Sequence, residues 1–162
     1  MKYLNTVVDA LTKVIMAVSS FTVFVVTFLQ VLSRYVLKAP FPWSQDVLRI
    51  AFAWMVFWGA AWCVKERGHL CVDALLTTFP KKLRTGVETV INFVLCGFFV
   101  FLIIYGGKFA ISGLTQMAPY LPIPMTLYYA SIPSAAAVML YYMVQVIFED
   151  ICSLFKKEEE KA

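Results

Sequence analysis

Charge is what this 162-residue sequence has least of. Asp, Glu, Lys and Arg together make up 15% of it, against about a quarter in a soluble globular domain. Histidine occurs once, at His69. That excludes a haem held by two imidazoles of this chain and leaves too few grouped ligands for a zinc site. The four cysteines, Cys63, Cys71, Cys96 and Cys152, show no CxxC or other ligand spacing. Cys63 and Cys96 sit in apolar runs, where a thiol most often serves as a small core hydrophobe. No nucleophile–base pair or phosphate-cradling loop stands out, so no enzyme activity and no cofactor are expected. Inverted repeats, the usual mark of a complete secondary transporter, are missing. A cleavable signal peptide is not expected either, because the first apolar run is too long for an h-region and no A-x-A site follows it.

What is present is hydrocarbon. The chain is 61% hydrophobic and 16% aromatic, with a mean hydropathy of +0.77. Such a composition reads as an all-α integral membrane protein forming one membrane domain over 1–162. Charges delimit four spans, roughly 7–36, 43–65, 86–112 and 125–150. Residues 14–33 carry no charge and as a helix extend about 30 Å, enough to cross the hydrocarbon core. The second uncharged stretch, 50–64, is shorter, which draws Asp46 and Arg49 toward the interface on a helix starting near Trp43, with Ser44 as N-cap and Asp46 in the positive first turn. Pro119, Pro122 and Pro124 break the long uncharged run after Lys108 into a loop and a fourth span. Pro133 predicts a kink in that span, and Gly106-Gly107 a loose end to the third. Between spans two and three, Leu70, Val72, Leu75, Leu76 and Phe79 followed by Lys81, Lys82 and Arg84 predict a short amphipathic interfacial helix. The segment 156–162 is expected to be a frayed, disordered tail.

The net charge of +4 is distributed in the short intervals between apolar runs. It therefore points to topology and contact with membrane phospholipids, with no nucleic-acid partner. Ten Lys and Arg residues fall on the side of both termini and the 65–88 interval, and four on the other. The positive-inside rule then places both termini in the cytoplasm.

Three groups of residues carry the functional question. Trp54, Trp58 and Trp62, four apart, form one helical stripe, with Asp46, Arg49, Ala53, Val56 and Ala60 roughly opposite. The small face is expected to pack on neighbouring helices. The tryptophans serve either as lipid-facing anchors or as a seam with another subunit. Because Trp54 and Trp58 fall nearer the middle of the span than an aromatic belt would, the seam is preferred. Arg34, Trp43, Asp46 and Arg49 form a polar rim outside the bilayer. There Asp46 can pair with Arg49 and fix the hairpin between spans one and two, and the rim is a candidate docking surface. A substrate or ion site is disfavoured because the group lies at the rim and no broken helix completes it. Gln30, Asn92 and Gln145, all neutral, are expected to make interhelical hydrogen bonds. No carboxylate sits mid-span to carry protons or cations.

QVLSRYVL followed by PWSQDVLRIAFAWMVFWGAAWCVKERGHLCVD resembles the small membrane (Q, DctQ-type) subunit of tripartite ATP-independent periplasmic (TRAP) transporters. The likeness lies in an Arg-aromatic end to span one, a Trp-Ser-acid-acid start to span two, an Arg one turn on, a Gly-Ala-Ala stretch and a basic-His exit. Gln45 departs from it, standing where the family often has an acid. The resemblance covers nearly the whole chain and implies a multi-pass inner-membrane subunit of a bacterium or archaeon. By this resemblance the chain scaffolds a large multi-span subunit that holds the substrate and sodium sites and moves as an elevator. It also implies a periplasmic substrate-binding protein that delivers an organic acid, such as a sialic acid or a dicarboxylate. A self-sufficient small dimeric membrane transporter is the alternative, and a membrane-bound redox or assembly factor a third class.

Overall fold

In the computed structural model, residues 2–39, 41–66 and 81–159 are described. Their structure is helical, apart from two connections. Helix α1 covers Lys2–Tyr35, α2 Trp43–Lys65, α3 Lys81–Ser112, the short α4 Thr126–Tyr129, and α5 Ser131–Glu159. Four stretches within them are long and apolar enough to cross a membrane: Asn5–Tyr35, Trp43–Lys65, Val90–Thr115 and Thr126–Phe148. The all-α, four-span architecture expected from the charge pattern is therefore present. The interfacial helix between spans two and three, together with His69 and Cys71, lies outside the described residues. Helix α5 continues to Glu159, where no proline or glycine after Pro133 interrupts it.

The helices α1 and α3, 34 and 32 residues long, run about 50 Å at 1.5 Å per residue. That exceeds the roughly 30 Å hydrocarbon core, so they tilt or reach into the interfaces. In the bundle α1 packs on α2, α2 on α5, and α5 on α3. The inner positions thus belong to α2 and α5, and the flanks to α1 and α3. Trp58, Ala61 and Val64 of α2 meet Ala135, Met139, Tyr142 and Met143 of α5 and Phe99 of α3 in one buried cluster, with Val8, Ile15 and Met16 of α1 against it. The outer faces of the flanking helices stay bare: Phe24 is 70% exposed and Phe93 81%. Only lipid or another apolar protein surface suits such faces.

Small residues set the closest approaches. Ala135 and Ala136 on α5 are fully buried. A Cβ on Gly106 would come within 3.0 Å of Ile132 Cγ2. Helix α3 runs unbroken through Gly106 and Gly107 to Ser112, so the expected loose end is instead a point of contact between helices. At Gly113 a Cβ would meet Tyr129 at 2.7 Å and the backbone nitrogen of Thr126 at 2.9 Å; no larger residue fits without displacing α4.

The kink expected at Pro133 takes the form of a break at Ala130, three residues earlier, between α4 and α5. The proline ring crowds the carbonyl of residue i−4, here Tyr129, and offers it no N–H. Neighbouring serines bond the carbonyls beside it. Ser131 Oγ donates to Tyr128 O at 2.7 Å, and Ser134 Oγ to Ala130 O at 2.7 Å.

Candidate functional site

The polar rim is built at the end of the bundle that holds the 36–42 and 113–125 connections. After α1, Lys38 adopts a left-handed conformation with φ 49°, reversing the chain toward α2. Pro42 occupies the cap position of α2 and Ser44 is already helical, its hydroxyl donating back to Phe41 O at 2.7 Å. The side-chain cap expected from Ser44 is thus not formed, because Pro42 pre-sets the helical φ one residue earlier.

Asp46 is fully buried. Its Oδ2 accepts hydrogen bonds from the backbone nitrogens of Tyr120 at 2.8 Å and Leu121 at 3.1 Å. These residues lie between Pro119 and Pro122, which have no N–H, so Asp46 takes both backbone donors of the 119–122 tip. The loop is closed further by Ala118 N to Ile123 O and Met125 N to Gln116 O. Asp46 therefore ties α2 to the connection between spans three and four. The pairing expected between Asp46 and Arg49 gives way to two charge-assisted bonds to backbone, which satisfy buried donors that a surface arginine cannot. Among the described residues neither Arg34 nor Arg49 forms an ion pair, and both are exposed. Trp43, 40% exposed, stacks on Phe41 with centroids 5.9 Å apart. Arg34, Trp43 and Arg49 thus stand free on the rim, while Asp46 works inside it.

Two of the three stripe tryptophans, Trp54 and Trp58, turn inward, while Trp62 stays half-exposed. Trp58 is 4% exposed and belongs to the chain's own core. Trp54 stacks on it, 6.2 Å between centroids, and its indole N–H donates to Leu127 O at 3.0 Å. The opposite face, with Arg49, Phe52, Val56, Ala60 and Cys63, is exposed. Of the face expected to pack on neighbouring helices, Arg49, Val56 and Ala60 look out while Asp46 is buried, and Trp54 and Trp58 pack on α4 and α5. The reason is fit: in lipid apolar area drives little, whereas the Trp54 indole N–H finds the Leu127 carbonyl and Trp58 packs into the cluster with α5.

At the opposite end lies a second polar group, centred on a residue the sequence reading passed over. Asp9 forms the one ion pair among the described residues, with Lys65, and accepts a bond from Tyr142 Oη at 2.9 Å. One helical turn away, Asn5 Oδ1 accepts from Tyr141 Oη and from Gln145 Nε2, each at 2.6 Å. Gln145 makes the interhelical bond expected of it. Together these contacts join α1, α2 and α5. The available signal was Asp9 and Lys13 at i, i+4, one turn before the uncharged run, where a carboxylate calls for a cation from another helix. Trp62 completes this end, with Lys65 Nζ 4.5 Å and Lys13 Nζ 4.8 Å from its ring centroid.

Residues 23–153 match the family described as tripartite ATP-independent periplasmic transporters, DctQ component. The chain belongs to that family. The polar rim and three of the four spans fall within the match, so it is a multi-pass protein of the inner membrane and a component of a transporter. It is 31% identical over 94 residues to the C4-dicarboxylate TRAP transporter small permease protein DctQ of Vibrio cholerae serotype O1, covering 58% of this chain and 40% of that one. It is 28% identical over 85 residues to the sialic acid TRAP transporter permease protein SiaT of Haemophilus influenzae strain 86-028NP, covering 52% of this chain and 14% of that protein. A putative TRAP transporter small permease protein of Haemophilus influenzae strain KW20 is 28% identical over 117 residues, 70% of either chain. The chain thus spans less than half the length of the first two relatives.

Proposed function

We propose that the chain is the non-catalytic small membrane subunit of a sodium-coupled TRAP importer of organic acids, of the sialic acid or dicarboxylate kind. It scaffolds the large transport subunit and helps dock the periplasmic substrate-binding protein. The observation that carries this reading is the family match over 23–153 on a bundle whose flanking helices leave large aromatic faces uncovered. A membrane scaffold needs such faces, because helices associate in lipid through packing. The exposed rim of Arg34, Trp43 and Arg49 offers cations and an aromatic ring to a soluble partner, which suits docking.

The engaged carboxylates, Asp46 buried and Asp9 half-buried, support a scaffold. Asp46 is engaged by loop backbone and Asp9 by Lys65 and Tyr142, so neither is free to carry a cargo ion. A self-sufficient dimeric transporter needs one that is. Reconstitution tests the reading. The chain is expected to co-purify with a large membrane subunit, and sodium-driven uptake into liposomes supplied with the binding protein is expected to require both. Full-rate uptake by the large subunit alone would overturn the proposal, and uptake by this chain alone would favour the dimeric transporter.

A further inference from the structure

At the end of the bundle that holds the termini, α1 and α2 leave a groove of about 390 Å³ lined by Lys13, Met16, Ala17, Ser20 and Trp62. Among the described residues, its only charged lining residue is Lys13. Lys13 stands where the uncharged run 14–33 begins, which is headgroup depth for a helix that crosses the bilayer. From there the wall descends through Met16 and Ala17, one turn further toward the hydrocarbon.

The charge at the mouth is unbalanced. Lys13 and Lys65 both lie over the Trp62 ring, at 4.8 and 4.5 Å, while the single carboxylate engaged there, Asp9, is taken by Lys65 and Tyr142. Glu66 follows Lys65 but is exposed and does not line the groove. Among the described residues, two cations and one carboxylate leave one positive charge, and the indole holds the Lys13 ammonium at the groove instead of letting it extend freely into water.

We infer that this groove is a binding site for one anionic phospholipid of the leaflet on the side of the termini. The phosphate sits at Lys13, and an acyl chain lies along Met16, Ala17 and the Trp62 face. A free phosphate would satisfy the lysine but leave the apolar wall bare, and a zwitterionic lipid would bring a second cation to a mouth that already has one in excess. The site stands on the groove alone and does not depend on the transporter reading.

Native mass spectrometry of the full-length chain, released from micelles titrated with phosphatidylglycerol, phosphatidylcholine or glycerol 3-phosphate, tests it. One phosphatidylglycerol is expected to be retained in preference to phosphatidylcholine, with no competition from glycerol 3-phosphate. Lys13→Gln is expected to weaken that retention roughly fivefold, the worth of one lysine–headgroup interaction, while Lys13→Arg keeps it and Lys38→Gln, at the far end of the bundle, changes nothing. Ala17→Phe, which fills the groove with Lys13 in place, is expected to expel the lipid, with helicity checked by circular dichroism. Equal retention of the two lipids, competition by glycerol 3-phosphate, or wild-type retention by Lys13→Gln would each overturn the site.

Discussion

Asp46 shows how much one residue of this chain is asked to do. A carboxylate with no exposure is costly unless its charge meets donors, and its donors are the two backbone N–H groups that Pro119 and Pro122 leave at the loop tip. Asp46→Ala removes both bonds and is expected to cost about 2–3 kcal/mol, the range for hydrogen bonds to a charged group lost from a buried site. Asp46→Asn keeps an acceptor oxygen and should cost less. Thermal unfolding in detergent gives the ordering, and hydrogen exchange at Tyr120 and Leu121 gives the place. Unchanged exchange at those amides in Asp46→Ala would show that the loop is held by something else. The importance of Asp46 was legible in the sequence as an acid in the first turn of a span. Its partners were not, because they are backbone groups more than 70 positions away that no side-chain pattern announces.

Among the elements, α2 and α5 carry the packing and the flanking helices do not. Glycine and alanine let α3 approach α5: an ideal Cβ at Gly106 lies 3.5 Å from Cβ of Ile132. That separation is within the range of a disulfide. The pair Gly106→Cys and Ile132→Cys, in a background with the native cysteines replaced, is therefore expected to form an intramolecular disulfide on mild oxidation. A gel shift reversed by reductant would record it, and absence of the bond would contradict the α3–α5 contact. The small-residue surface of the fourth span could be read from Ser131, Ser134, Ala135 and Ala136. The inward turn of Trp54 and Trp58 could not. Helical phase separates an aromatic face from a small one, but in a membrane either can face lipid or protein, so periodicity does not choose between them. Asp9 escaped for a related reason: its partners Lys65 and Tyr142 come from two other helices, and only their docking brings the three together.

For the whole molecule, the distribution of Lys and Arg predicts that the Asp9–Lys65 end of the bundle faces the cytoplasm, and cysteine labelling tests that orientation. Single cysteines at Lys38 and Tyr120, both exposed on the opposite rim, should react with a membrane-impermeant maleimide on intact cells or spheroplasts. A single cysteine at Lys13 should react only after lysis. The reverse pattern would invert the topology and place the Arg34–Trp43–Arg49 rim on the cytoplasmic side, against the proposed docking role.

The number of spans and the membrane class were determined by the sequence itself, because hydrocarbon thickness is a length and charge is excluded from it. The family resemblance was also carried by local order, from Arg34-Tyr35 through Trp43-Ser44-Gln45-Asp46 to Gly59-Ala60-Ala61. Tertiary structure alone decided which face of α2 is buried, that Asp46 holds a loop rather than a hairpin, and that Asp9 and Lys65 lock three helices at the other end. Each of these depends on which helices become neighbours. Packing among apolar helices is fixed by shape and by a few polar contacts of long sequence separation, and a one-dimensional pattern records neither.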